Sequence, residues 1–90
     1  MRMQTITAAR MLPGYRLALA FADGAEGVVN LAPLVAEGGV YAAIAAAPDA
    51  VRIGPRGRSV AWPSPDGEPV DFCADALRLD VDAVRRAETD

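Results

Sequence analysis

Asp71, Cys73 and Asp75 bring three chemically capable side chains within five residues. Asp71 and Asp75 stand four apart, which puts both on one side of a helix if both are helical. Two neighbouring carboxylates could hold a divalent cation or work as an acid/base pair. No third ligand lies within the same turn. The stronger reading makes Asp71 a loop-orienting residue and Asp75 a solvated acid in the first turn of a helix, where the dipole favours it. Cys73 could be nucleophilic near a helix N-terminus. The chain contains no His, so the usual activating base and every Cys-His or Ser-His scheme are missing. A small, half-buried packing role is the stronger expectation for Cys73. No catalytic residue, metal ligand or cofactor site is assigned, and the chain is not expected to be an enzyme.

Arg52, Arg56 and Arg58 form the only local basic patch. Arginine binds phosphate bidentately, and Trp62 on the continuing strand could stack a base. Against this, the chain of 90 residues carries a net charge of −3. Nucleic acids and anionic membranes call for a positive field. Trp62 reads first as a core residue whose indole N–H finds a carbonyl, and second as a partly exposed anchor of a protein interface. It borders a Pro-rich loop, Ser64 to Pro69, which contains Asp66.

Elements must position these groups. Tyr15, Leu17, Leu19 and Phe21 alternate with Arg16, Ala18 and Ala20, the period of a half-buried strand. Pro13-Gly14 separates it from an earlier extended run, about Met3 to Leu12. Asp23-Gly24 reads as a tight hairpin turn with positive φ at both central positions. Val28 and Val29 belong to the returning strand, giving a three-stranded meander. Asn30 is a good N-cap for a short helix, Leu31 to Glu37, ended by Gly38-Gly39. Val40 to Ala47 adds a second helical turn or two, with Tyr41 and Ile44 on one side and Pro48 as its stop.

Val51 and Ile53, then Val60 and Trp62, predict a second hairpin around the turn Gly54-Pro55-Arg56-Gly57. Asp71 or Cys73 is expected to start a last short helix that places Leu77 against the sheet. Asp80 to Asp90 reads as a polar tail in which Val81 and Val84 are spaced for one amphipathic turn, with a fraying end. The expected core includes Ile6, Leu17, Leu19, Phe21, Val28, Ile53, Val60, Trp62, Leu77 and Leu79. The fold class is α+β: a mostly antiparallel sheet of about five strands, meander plus hairpin, with short helices packed on one face. Residues 1–79 are read as a single domain and 80–90 as the tail. A single Cys excludes an internal disulfide. No signal peptide and no membrane-length apolar run is read in the sequence, so a cytoplasmic location is expected.

Several segments follow one pattern in order: Phe21-Ala22-Asp23-Gly24; Val28-Val29-Asn30-Leu31-Ala32-Pro33-Leu34; Val60-Ala61-Trp62-Pro63; Gly67; and Asp71-Phe72-Cys73-Ala74-Asp75-Ala76-Leu77. In this the chain resembles the small bacterial domain-of-unknown-function family 2442 over about Tyr15 to Leu79. Three features depart from that pattern. Asn30 stands where the family usually has Asp, keeping the cap and losing the charge. The Ser64–Pro69 loop is longer and richer in Pro. Arg78 stands where an aromatic residue, usually Tyr, is common. The resemblance implies an α+β fold and cytoplasmic life, and carries no established activity. Some relatives look like the antitoxin-side partner of a small neighbouring protein. Others carry a C-terminal helix-turn-helix, for which the dozen or so residues after Leu77 are too few.

The leading expectation is a non-enzymatic protein-interaction module, antitoxin-like in form, whose partner is another small protein or a second copy. Its provisional surface is a sheet edge plus the Ser64–Pro69 loop, with Arg52, Arg58, Trp62, Asp66 and Asp71. The alternative is a nucleic-acid-associated regulator using Arg52, Arg56 and Arg58. An enzyme or metal protein using Asp71, Cys73 and Asp75 ranks last.

Overall fold

A computed structural model describes residues 4–64 and 69–89, with the backbone alone at 40 and 85–89. Strands β1 (Ile6–Leu12), β2 (Arg16–Phe21) and β3 (Glu26–Asn30) form the expected antiparallel meander. Pro13-Gly14-Tyr15 joins the first pair, with Gly14 and Tyr15 both left-handed (φ +81° and +59°). An irregularity between Ile6 and Ala8 shifts the register of β1, so Ile6 and Met11 both reach the core despite their odd spacing.

The β2–β3 turn differs from the expectation in one respect. Only Gly24 is left-handed (φ +93°). The Gly24 N–H donates to Phe21 O (3.0 Å) and the Phe21 N–H to Ala25 O (2.8 Å). This is a three-residue hairpin loop, in which the residue before the glycine does not need positive φ. Asp23 instead uses its side chain, accepting the Ala25 N–H at 3.1 Å.

Asn30 stands one residue before the N-cap, which is Leu31, but its Oδ1 accepts the Ala32 N–H (3.0 Å) at the start of α1 (Ala32–Glu37), so the expected side-chain acceptor is present. Gly38, left-handed, ends that helix. A 3₁₀ turn at Gly39–Tyr41 then leads into α2 (Ala42–Ala46), which stops before Pro48. Strands β4 (Arg52–Ile53) and β5 (Ser59–Trp62) make the second hairpin. Its turn lies against the start of β1. A side chain at Gly57 would run into the Ile6 carbonyl and approach Thr5 Cγ2 within 2.8 Å.

The expected single sheet of about five strands is corrected to six strands among the described residues, in two three-stranded antiparallel sheets. The additional strand is β6 (Val70–Cys73), in the segment read as the start of the last helix. Val70 and Phe72 alternate with Asp71 and Cys73, a period-two pattern that pairs Val70 with Trp62 and Phe72 with Val60. The helix α3 then runs from Ala74 to Thr89, sixteen residues, where a short helix and one turn of tail were expected. Its first free N–H, from Ala74, donates to the Arg58 carbonyl (2.8 Å). Ala74, Leu77 and Val81 form its buried face at helical spacing.

Trp62, Leu17, Ile44, Val60 and Val81 are all fully buried. The Trp62 ring meets Phe72 edge-on (5.8 Å between centroids), and Phe72 stacks parallel to Tyr41 at 6.3 Å. Three expected core residues lie outside. Val28 alternates out of β3 while Val29 goes in, Leu79 points away from the Leu77–Val81 face (68% exposed), and Ile53 sits on the short edge strand β4.

Candidate functional site

The tip of the β2–β3 hairpin is tied to α3 by one arginine. Arg78 Nη1 donates to Asp23 Oδ2 (2.9 Å) and Oδ1 (3.1 Å), and to Gln4 Oε1 (2.9 Å). Its Nε donates to Asp82 Oδ1 (3.0 Å) one helical turn on. The guanidinium carbon lies 5.1 Å from the centre of the Phe21 ring, in cation–π range. The Ala25 N–H, then the Arg78 guanidinium, hold the Asp23 carboxyl below its ordinary range. Asp23 and Asp82 in turn raise Arg78, which stays charged at every working pH. Asp75, one turn before Arg78, accepts the Gln4 N–H (2.9 Å).

This cluster forms one end of an open groove of about 760 Å³ between β3 and α3, lined among others by Glu26, Val28, Arg78, Val81 and Val84. The groove's floor is a close approach of backbone to helix. A Cβ at Gly27 would stand 2.5 Å from Val81 Cγ1. Glycine at this point lets α3 lie directly on β3.

The outer side of β3 follows from its pairing. The Leu31 N–H donates to Tyr15 O and the Phe21 N–H to Ala25 O. Hydrogen-bonded pairs in an antiparallel ladder recur every second residue, so Gly27 and Val29 also turn their backbone groups toward β2. The N–H and C=O groups of Glu26, Val28 and Asn30 therefore point away, along an edge that no other strand among the described residues pairs with. All three side chains are exposed. By contrast, the other edge of this sheet, β1, is flanked by β4 and the 3₁₀ turn at Pro48–Ala50.

The residues singled out from sequence are placed as follows. Arg52 pairs with Ala61, and Ala61 with Asp71, so Arg52 and Asp71 share one face of the second sheet. Two strand spacings put them roughly 10 Å apart. Trp62 is on the opposite, buried side, and its Nε1–H donates to Pro48 O at 3.0 Å. It belongs to the core and drops out of the provisional surface. Asp66 lies outside the described residues. Arg56 is exposed on a left-handed turn, while Arg58 is half-buried at the root of α3. Asp71 adds a carboxylate to the face that holds Arg52. Asp71 and Asp75 do not share a helix face, because Asp71 is on β6 and Asp75 on α3. Cys73 is exposed rather than half-buried, because the strand turns it to the same side as Asp71. Among the described residues no three His, Cys, Asp or Glu side chains gather where they could hold a metal ion.

The sequence pointed to a sheet edge without fixing which one, because which backbone groups face outward depends on hairpin register. The one available signal was the alternation of Glu26, Val28 and Asn30 around Gly27 and Val29. No helix among the described residues is long and apolar enough to cross a membrane. No curated protein and no solved structure matches this chain. One family model does match, over residues 6–82, and it is the family that the motifs resemble. The chain belongs to the DUF2442 family, proteins of unknown function.

Proposed function

We propose that this protein works as a protein-interaction module that receives an extended segment along the free edge of β3, and does no catalysis. The observation that carries this reading is the outward row of backbone groups at Glu26, Val28 and Asn30, beside a groove walled by Val81 and Val84. Such an edge supplies main-chain hydrogen bonds, and the neighbouring side chains supply selectivity. Two further facts support it. The chain has no His, and Asp75 is engaged by the Gln4 N–H rather than aimed at a cavity. Capture of a small neighbouring protein in the antitoxin manner is one form of this activity.

The test is affinity capture from the native host with wild type and Val28→Pro, analysing protein and nucleic acid together. The Val28 N–H is not used in pairing with β2, so proline is compatible with the strand there and removes an outward donor. Circular dichroism checks that the variant folds. A protein recovered with wild type and lost with folded Val28→Pro is the expected result. Recovery unaffected by Val28→Pro, or of nucleic acid alone, overturns the reading.

A further inference from the structure

The edge of β3 is complementary to itself. In Glu26-Gly27-Val28-Val29-Asn30, the outward positions are 26, 28 and 30, placed symmetrically about Val28. Two copies brought together antiparallel about a two-fold axis at Val28 would pair residue 28 with 28 of the second copy. Glu26 would then face Asn30 of the second copy, and Asn30 its Glu26. Each pair exchanges two backbone hydrogen bonds, about six in all across the edge. The side chains agree with that register. Asn30 Oδ1 is already committed to the Ala32 N–H, so its amide hydrogens are what it has left to give. Glu26 opposite is an exposed carboxylate that accepts them. The register separates the two Glu26 side chains and places two valines side by side at the axis. Val28 is 38% exposed and Val84 43% exposed in the single chain. The incoming strand would cover the first and approach the second across the groove.

We propose that a second copy of this chain is the occupant of the β3 edge, making a two-fold dimer whose sheet runs through six strands with Val28 on the axis. This rests on the reading of β3 as a recruiting edge and names its partner. Closed two-fold pairing also removes an open edge that would otherwise template aggregation.

The register makes the proposal testable by charge. Val28→Glu and Val28→Lys each place like charges directly opposite at the axis, at a position exposed in the single chain. Multi-angle light scattering over a hundredfold concentration range should give a dimer for wild type and monomers for either variant alone. Mixing the two variants should restore a 1:1 dimer. Amide exchange adds a direct readout: the amides of Glu26, Val28 and Asn30 should be protected in wild type and exchange fast in either variant alone. Wild type that is monomeric throughout, or variants as dimeric as wild type, overturns the second copy as occupant. The two failures separate. A monomer whose partner capture still depends on Val28 overturns only the dimer. A dimer indifferent to Val28, with capture equally indifferent, overturns the recruiting edge as well.

Discussion

Arg78 and Asp23 are 55 residues apart in sequence and 2.9 Å apart in space. Their ion pair ties the hairpin tip that begins β3 to the second turn of the helix that lies on β3. The same guanidinium covers Phe21, at the end of β2. The position of the free edge relative to α3 therefore depends on a contact between a turn residue and a helix residue.

The first prediction is a pH dependence. Asp23 is held below its ordinary value of 3.8, first by the Ala25 N–H and then by Arg78. A carboxylate with a lowered folded value contributes stability that is complete above the unfolded value and is lost as pH falls through the folded one. Asp23→Asn keeps an acceptor for the Ala25 N–H and loses the charge facing Arg78. Wild type should unfold at higher urea than Asp23→Asn at pH 7. The gap should narrow steadily below about pH 4. A gap that stays constant down to pH 2 would sink this account.

The meander, the second hairpin and the Asn30 acceptor at the start of α1 were legible in the sequence because each rests on local chemistry: alternation, turn residues, one side-chain acceptor. The β6 strand was not. Asp71, Cys73 and Asp75 look like a helical cluster until Val70 and Phe72 are seen to pair with Trp62 and Val60, and that pairing is set across a loop. The length of α3 was lost for a related reason. Its C-terminal half is polar, and only Val81 and Val84 mark its inner face. The burial of Val81 depends on Gly27, 54 positions earlier, having no side chain. Arg52 and Asp71 share a face of the second sheet, whereas Trp62 belongs to the core.

A second prediction concerns that approach of helix to strand. Gly27→Ala adds a methyl 2.5 Å from Val81 Cγ1, so α3 must shift or the side chain turn. The expected cost is about 1–3 kcal/mol. Val81→Ala, truncating a fully buried side chain, should cost roughly as much. Because each change relieves the other, the double variant should be more stable than the sum of the two losses predicts. Chemical denaturation of the four proteins measures the coupling. Strict additivity would show that Gly27 and Val81 do not meet.

Trp62 provides a third. As the only tryptophan, it reports on its own surroundings. Fully buried and donating to Pro48 O, it should fluoresce at short wavelength in the native state and shift to the red on unfolding. Trp62→Phe removes both volume and the N–H, stranding the Pro48 carbonyl. A loss of about 1–3 kcal/mol is expected. A red-shifted native spectrum, or a neutral substitution, would place the indole at the surface instead.

The last prediction separates a docked helix from a polar tail. Truncation after Leu79 removes Val81 and Asp82, and with them the close contact to Gly27 and one of the two carboxylates on Arg78. Truncation after Val84 keeps both. If α3 holds β3 in place, the shorter chain should lose far more thermal stability than the longer one, well beyond the helical signal accounted for by five residues. Its Gly27 and Val29 amides, which face β2, should also lose protection, since β3 would no longer have a helix against its inner face. Equal melting of the two truncations would mean that residues 80–84 contribute nothing to the fold. The buried position of Val81 argues against that outcome, because a fully buried valine is worth about 1.5–3 kcal/mol. In a chain of 90 residues that is a substantial part of the whole stability.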